Sequence, residues 1–231
     1  MRFPEEMLIG TTMKGSSVMD RKRRYLIAVS VVAVTAIALL SGFLATHANS
    51  AQAASAKTVK HVYITFYGFP DNSCQTENQH TCNDIAYPKS GGFPTKHDVA
   101  TEGKGTYSDP VTYAGAGDDN GNGGPVKPGT IIYVPYLEKY FVMEDSCFEC
   151  TNDWKGGHNW HVDLWMGSNT VNGKNKIIAC EDNLTIDNGV PGTGKIIVNP
   201  PKNLKVDTTK MFTNGSKANT GTCTAHTYTY G

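Results

Sequence analysis

The stretch FVMEDSCFECTNDWKGGHNWHVDLW, residues 141–165, gathers most of the chemically informative side chains of this chain. Three acids lie around a Cys-x-x-Cys pair, and two histidines, two aspartates and all three tryptophans of the chain follow within the same stretch. Side chains of these types can hold a metal ion, brace a loop with a disulfide, or form the floor of a sugar-binding cleft. The rest of the sequence bears on the choice among these three.

Residues 1–53 have the organisation of an export signal. A basic run at residues 21–24 precedes an uncharged, mostly apolar run at residues 25–44, and an Ala-x-Ala site ends at Ala53. This order is typical of a secretory signal peptide, so we expect a secreted protein, extracellular or associated with the cell wall. The apolar run of about 20 residues would also span a bilayer if the leader were retained. We expect no other contact with a membrane.

The exported part is expected to hold one domain. Residues 54–231 have a length typical of a single core. Six of the 21 basic and three of the 21 acidic residues lie in the leader, which leaves 15 basic and 18 acidic residues in the exported part. A mildly acidic chain without a basic stripe argues against a nucleic-acid partner. We expect a monomer.

All six cysteines follow the leader, and an even number in an exported chain predicts disulfides. They are Cys74, Cys82, Cys147, Cys150, Cys180 and Cys223. Sequence alone does not fix the pairing, although Cys74 with Cys82 is the easiest local pair and Cys223 would tie back the tail. A zinc or thioredoxin-like site at the Cys-x-x-Cys is disfavoured, because oxidised cysteines do not ligate as thiolates and no βαβ context is present. We therefore predict neither a metal nor a cofactor.

Short runs of β-branched and aromatic residues separated by Gly, Pro, Asn and Asp predict an all-β fold. Strands are expected at residues 61–67, 131–136, 140–144, 176–180 and 195–199, with the second and third forming a hairpin. The glycine-rich residues 115–124 are expected to form an exposed loop. Residues 201–231 are expected to form an extended tail on a domain of residues 54–200. Closure into a barrel would remove exposed strand edges.

Three segments carry a resemblance to a known superfamily. ITFYGFPDNSC at residues 64–74, EDSCFEC at residues 144–150 and HVDLW at residues 161–165 resemble, in this order, segments of double-psi β-barrel proteins. That group includes expansin N-terminal domains, family 45 endoglucanases, barwin-like proteins and RlpA-like cell-wall proteins. The resemblance implies a six-stranded double-psi β-barrel with an open groove. The chain departs from family 45 enzymes, because the motif that carries their catalytic base is absent.

The resemblance also implies candidate site residues. Asp163, in the His-x-Asp motif, would be the central acid of the groove, and Asp71 would correspond to the aspartate that follows the first strand. From the residues themselves, Asp145 is a further candidate, because two nearby carboxylates resist ionising together and would raise the pKa of Asp163. Each acid could instead serve the structure, Asp71 in a turn and Asp145 in binding backbone N–H groups.

Aromatic side chains near these acids are candidates for stacking on sugar rings. We expect the substrate-binding residues to be Trp154, Trp160, Trp165, Tyr67 and His161, with Trp154 or Trp160 lining the groove and at least one tryptophan in the core. The predicted function is binding or modification of cell-wall polysaccharide, either glucan or peptidoglycan. Three alternatives stay open: an inverting glycosidase, a lytic transglycosylase that uses one acid, and a non-enzymatic barwin-like protease inhibitor or structural protein.

Overall fold

The computed structural model describes residues 55–72, 82–167, 174–186, 193–215 and 220–229. Within these ranges the fold is a closed six-stranded β-barrel with long loops, a separate two-stranded sheet and two α-helices. The all-β barrel predicted from the sequence is therefore confirmed. The predicted leader and Cys74 lie outside the described residues. No helix in the described ranges is long and apolar enough to cross a membrane.

The barrel strands are β1 (Lys57–Tyr67), β2 (Val111–Gly115), β3 (Ile131–Val134), β4 (Lys139–Ser146), β5 (His161–Trp165) and β6 (Gly194–Val198). They close in the order β1-β5-β2-β4-β3-β6. β1 runs parallel to β5 and β2 runs parallel to β4, whereas the other pairs are antiparallel. Parallel neighbours require crossover connections, so the chain passes over the barrel rather than winding around it by hairpins alone.

The alternation of apolar and polar residues explains β1 and β5. Ile64 on β1 and Val162 and Leu164 on β5 are buried in the core, and the residues between them lie on the other face of the sheet. The predicted strands at residues 61–67 and 195–199 and the hairpin that contains β3 and β4 are confirmed within one to four residues at their ends.

One row of side chains crosses four strands on the face of the sheet opposite the core. Thr65 on β1 pairs with Asp163 on β5, Asp163 pairs with Ala114 on β2, and Ala114 pairs with Asp145 on β4. Strands in a sheet are about 4.8 Å apart, so the Cα atoms of Asp163 and Asp145 stand about 10 Å apart. Only the methyl group of Ala114 lies between them in this row.

One local prediction is wrong, and another is confirmed in part. The strand expected at residues 176–180 is part of α2 (Lys174–Leu184). Its inner residues Ile177, Cys180 and Leu184 follow helical spacing, and the two adjacent isoleucines are what made the segment resemble a strand. The loop expected at residues 115–124 is exposed only in part, because Gly115 ends β2 and the small Ala116 and Gly121 are buried.

Two disulfides join described residues, and both involve helices. Cys147–Cys150 lies at the start of α1 (Phe148–Gly157), and Cys180–Cys223 joins α2 to β8 (Gly221–Cys223), which pairs with β7 (Phe212–Asn214). The prediction that Cys223 ties back the tail is confirmed. Cys82 is also disulfide-bonded.

The tail lies along the β3–β4 hairpin. The Tyr133 hydroxyl donates to the Lys205 carbonyl at 2.7 Å, and the backbone N–H of Tyr228 donates to the Tyr136 carbonyl at 2.8 Å. The ammonium of Lys139 donates to the carbonyl of Asp207. The C-terminal segment is thus held by the barrel as well as by the disulfide.

Candidate functional site

Helix α1 begins at the Cys-x-x-Cys and covers the face of the sheet that carries the acid row. The Cys147 sulfur caps the helix by accepting from the Cys150 N–H at 3.0 Å. The helix ends at His158, which adopts a left-handed conformation with φ of 56° and donates its N–H to carbonyls of the last turn. The disulfide fixes the start of this helix beside β5, which α1 contacts.

An open cavity of about 630 Å³ lies between the start of α1 and the acid row. Its described lining contains five acids and one cation, Lys155. The acids are Asp71, Asp119, Asp145, Glu149 and Asp163. Tyr67 and Phe148 supply its aromatic surface, and Phe148 is 75% exposed. All three predicted catalytic acids therefore line the same cavity.

Asp163 occupies the centre of the row. Burial raises the pKa of its carboxyl to about 7, and the nearby charges of Asp71, Glu149 and Asp145 act in the same direction. The Thr65 hydroxyl donates to Asp163 Oδ1 at 2.7 Å and partly offsets this effect. The side chain thus carries a proton in mildly acidic solution, as a general acid must.

Asp145 is committed to holding the surrounding structure. Its Oδ1 accepts the N–H groups of Ala86 at 2.8 Å and Ser146 at 2.9 Å, and its Oδ2 accepts from the Tyr67 hydroxyl at 3.1 Å. Burial nevertheless raises its pKa. Because both oxygens are bound, Asp145 is poorly placed to activate a water molecule.

Asp71 is paired with a carboxyl group that the sequence did not indicate. Its Oδ1 accepts the N–H of Gly68 at 2.8 Å, as expected of a turn aspartate, and its carboxylate hydrogen-bonds with Glu181 of α2. Glu181 is 4% exposed, and burial followed by the charge of Asp71 raises its pKa to about 9. Glu181 is therefore protonated at neutral pH and donates to Asp71.

Gly68 makes room for this pair. A Cβ atom at this position would lie 2.9 Å from Glu181 Oε1 and 2.9 Å from the carbonyl oxygen of Gly167. The glycine of the Thr-Phe-Tyr-Gly segment is therefore required by the close approach of α2, rather than by an unusual backbone angle. The sequence offered one sign of this role. If residues 177–184 had been interpreted as a helix, Glu181 would have been expected on its buried face with Cys180 and Leu184.

His161 lies two residues before Asp163 on β5, and it is not part of the described cavity lining. Its Nε2 is 2.9 Å from Thr65 Oγ1, and its Nδ1 is 2.7 Å from Asp153 Oδ2 on α1. Sequence reasoning missed both Thr65 and Asp153. The Thr65 position could have been found from the parallel pairing of the two family-like segments, which places it beside Asp163.

The described lining of the cavity contains no tryptophan, so the expected indole-walled groove is not what the structure has. Trp165 is 1% exposed and packs edge-on against Tyr67, with ring centroids 5.1 Å apart. Trp154 and Trp160 are half-buried against the core and contact each other, with centroids 6.0 Å apart. Large indole rings pack readily against a core, and Phe148 provides the accessible aromatic surface of the cavity instead.

The sulfurs of Cys147 and Cys150 and one ring nitrogen of His161 lie within 4.8 Å of one another. This grouping does not fit a metal ion, because the sulfurs are joined in a disulfide and only thiolates are effective ligands. Both nitrogens of His161 are also within hydrogen-bond distance of protein oxygens.

Comparison with known proteins places this chain among relatives. Over 162 residues it is 33% identical to an uncharacterised protein of Dictyostelium discoideum, DDB_G0273701/DDB_G0273221. The matched segment covers 69% of this chain and 58% of the relative. The chain thus spans a little over half the length of that protein. No solved structure matches. The family described as the DDB_G0273701 N-terminal domain matches residues 59–224, which include β1 from Val59 onward and the other five barrel strands in full, and the chain belongs to this family.

Proposed function

We propose that this chain is an exported double-psi β-barrel protein of expansin-like or RlpA-like type that binds and modifies cell-wall polysaccharide through Asp163. The observation that carries the proposal is the position of the Asp163 carboxyl in an open cavity beside an exposed aromatic ring, Phe148. A protonated acid can donate to a glycosidic or hydroxyl oxygen, and an exposed ring can stack on a sugar face. The order of barrel strands, with two parallel pairs, is compatible with the double-psi arrangement.

The charges of the cavity favour a neutral glucan. Five acids and one lysine line it, so a polysaccharide with carboxylates, such as peptidoglycan or a uronic-acid polymer, would be repelled. A neutral glucan contributes hydroxyl groups, which are good hydrogen-bond donors to the ionised acids of the rim. Of the two substrates that the sequence leaves open, we therefore propose glucan.

The hydrogen bonding of the other acids favours action by a single acid. An inverting hydrolase needs a free carboxylate to activate water at about 6.5–9.5 Å from the acid. Asp145 accepts three hydrogen bonds, and Asp71 accepts from Gly68 and Glu181. Because the carboxylates of Asp145 and Asp71 are both engaged in hydrogen bonds, neither is free to activate water. Loosening of a polysaccharide network or cleavage with one acid is therefore better supported than inverting hydrolysis.

The test is a pull-down of the exported chain on insoluble cellulose, chitin and peptidoglycan. We expect cellulose to retain it best, and we expect Phe148→Ala to lower retention about tenfold, since loss of one stacking ring typically costs about 1–1.5 kcal/mol. Val99→Ala is the matched control, because Val99 is the other exposed large apolar side chain within the described ranges and does not line the cavity. Equal loss in both variants, or no retention on any polysaccharide, would refute the proposal.

The role of Asp163 needs a separate comparison. Asp163→Asn preserves size and removes the proton donor, so it should still bind glucan while losing any wall loosening or release of sugar ends. Wild-type activity without new reducing ends would indicate loosening, and anhydro-sugar ends would indicate single-acid cleavage. Activity of Asp163→Asn equal to that of the wild type would remove the acid from the mechanism.

A further inference from the structure

A continuous line of hydrogen bonds connects Asp163 to the outer side of α1. Thr65 Oγ1 is 2.7 Å from Asp163 Oδ1 and 2.9 Å from His161 Nε2, and His161 Nδ1 is 2.7 Å from Asp153 Oδ2. The His161 side chain is 10% exposed, whereas that of Asp153 is 37% exposed. The line of hydrogen bonds therefore starts at Asp163 in the cavity and ends at Asp153, a partly exposed residue of α1.

The parallel register of β1 and β5 builds this line. Thr65 lies directly opposite Asp163, and His161 lies two residues earlier on the same face of β5. The Thr65 hydroxyl can therefore reach both side chains. Helix α1 then brings Asp153 to the far nitrogen of the ring. Every link comes from a regular element, so the geometry is held by the fold rather than by a loop.

Two proton arrangements satisfy the same three contacts. In one, Thr65 donates to an ionised Asp163, so His161 Nε2 must donate to Thr65 and Nδ1 must donate to Asp153, and the ring is an imidazolium. In the other, a protonated Asp163 donates to Thr65, Thr65 donates to Nε2, and the neutral ring keeps only its Nδ1 proton. The arrangements differ by the transfer of one proton from His161 to Asp163.

We propose that Thr65, His161 and Asp153 form a proton relay in which the imidazolium of His161, held by Asp153, recharges Asp163 through the Thr65 hydroxyl, without a proton from water in the cavity. In this transfer the His161 Nε2–H bond breaks and a Thr65 O–H bond forms, while the former Thr65 O–H bond breaks and an Asp163 O–H bond forms. Reversal of the two transfers returns the proton to Nε2, while Nδ1 keeps its proton towards Asp153 throughout, and water that enters the open cavity then restores the proton of Asp163. His161 and Asp153 are thus positioning residues that act through Thr65.

The relay rests on the proposed function, since it supplies an acid that gives its proton to a bound polysaccharide. A ligand in the cavity would screen Asp163 from bulk water, and the remaining neighbours of Asp163 are poor sources of a proton. Asp71, Asp145 and Glu149 surround it as acids, Glu181 retains its proton beside Asp71, and Tyr67 donates to Asp145. Tyr63 contacts the His161 ring only edge-on.

The test uses no polysaccharide, so the relay and the proposed function can fail separately. Carbon-13 shifts of the Asp163 carboxyl and nitrogen-15 shifts of the His161 ring are followed against pH in the exported chain. We expect both signals to show the same two inflections, because linked sites titrate as a pair. Independent single steps for Asp163 and His161 in the wild type would overturn the relay.

Variants of the middle residue separate the relay from simple proximity. In Thr65→Val we expect the His161 signal to lose the Asp163 inflection and the Asp163 step to move up by about one pH unit, because its carboxylate loses a donor. Thr65→Ser should restore the linked behaviour. If the His161 signal in Thr65→Val still follows Asp163, the hydroxyl carries nothing and the proposal is wrong.

Asp153→Asn gives a second, independent arm at a partly exposed position. Loss of the carboxylate removes the acceptor of the Nδ1 proton, so the nitrogen-15 shifts of the His161 ring should change. Because Asp163 shares a proton with the ring, its carbon-13 signal should change with them. An Asp163 signal that is unchanged in Asp153→Asn would show that the outer end of the line is not connected to the acid.

Discussion

Two carboxyl groups of this protein keep a proton well above the ordinary pKa of their type: Glu181 at neutral pH and Asp163 in mildly acidic solution. Burial raises each pKa far above the ordinary value, so the folded protein keeps a proton that the unfolded chain releases. Below the ordinary pKa values both states are protonated and nothing is lost. The free energy of unfolding therefore falls as pH rises through the window between the ordinary and the raised pKa.

This window gives a prediction that separates the two acids. We expect the unfolding free energy of the wild type to fall from about pH 4 to about pH 9, by at most about 1.4 kcal/mol per pH unit for each group. Asp163→Asn should flatten the part below about pH 7, and Glu181→Gln should flatten the part up to about pH 9. Urea denaturation at pH 5, 7 and 9 measures both slopes.

The control for this experiment is Asp119→Asn, which replaces an exposed acid of the same cavity. Its unfolding free energy should keep the wild-type dependence on pH. If Asp163→Asn and Glu181→Gln also keep that dependence, the two groups are not protonated in the folded protein.

At the scale of single residues, sequence and structure agree on the acids and differ on the aromatic rings. Asp163, Asp71 and Asp145 could be predicted to share a site because they lie in segments whose order resembles that of double-psi β-barrel proteins. Glu181 could not, since it stands about 110 residues after Asp71 in the chain and meets it only when α2 packs on β1. Trp165 could not be assigned to the core because its burial depends on neighbours distant in sequence.

At the scale of elements, β4 carries two adjacent acids at an irregularity in its pairing with β2, where Glu144 falls between the pairs Tyr113–Met143 and Ala114–Asp145. Each acid holds a different loop. Asp145 binds Ala86, whereas Glu144 is fully buried and accepts the N–H groups of Lys96 at 2.7 Å and His97 at 2.9 Å. Glu144 also accepts from Thr112 at 2.8 Å and lies 2.7 Å from the His97 ring. Burial opposes its ionisation, yet these bonds lower its pKa.

The loss of this anchor should be costly. We expect Glu144→Ala to lower the unfolding free energy by about 3–5 kcal/mol, because it leaves buried donors without an acceptor. Glu144→Gln should cost less, since one oxygen remains. Thermal or urea denaturation at pH 7 measures both.

Glu149→Gln, at an exposed position of α1, serves as the matched control for Glu144 and should change the unfolding free energy by no more than about 0.5 kcal/mol. A Glu144→Ala variant as stable as this control would contradict the role of β4 in holding the loop at residues 95–98.

Helix α2 shows why an element can escape a reading of the sequence. Its inner face consists of Ile177, Cys180, Glu181 and Leu184, which is helical spacing. A glutamate at one inner position breaks the apolar stripe, and two adjacent isoleucines favour a strand. The strands of the barrel were easier to predict, because their alternation needs only local sequence.

At the scale of the whole molecule, the tail and the acid site are mechanically linked. Cys180 precedes Glu181 directly, and its disulfide to Cys223 joins α2 to the C-terminal sheet. The bond closes a loop between residues 43 apart in sequence. Closure of the barrel could be expected from the sequence, because closure removes exposed strand edges. The disulfide between α2 and the tail could not be predicted, since six cysteines allow many pairings.

We expect replacement of Cys180 and Cys223 by serine to lower the unfolding free energy by about 2–4 kcal/mol, through the entropy of the opened loop. The pKa of Glu181 should also fall toward its ordinary value, since a looser α2 admits water. Denaturation and carbon-13 titration of Glu181 are the two measurements.

Replacement of Cys147 and Cys150 by serine is the matched control, because that bond closes a loop between residues only three apart. It should cost less stability and leave Glu181 unchanged. A larger loss in this control than in the Cys180 and Cys223 variant would contradict the proposed coupling of the tail to α2.

The small side chain of Ala114 has a consequence for the depth of the depression over the sheet. Only the methyl group of Ala114 lies between Asp163 on β5 and Asp145 on β4, so the backbone of β2 forms the floor of the cavity at this point. Any longer side chain at this position would raise the floor and part the acids by bulk without altering one charge. Ala114 therefore determines the space above the sheet, whereas Asp163 and Asp145 determine its acidity. A substitution can change one of these properties without changing the other.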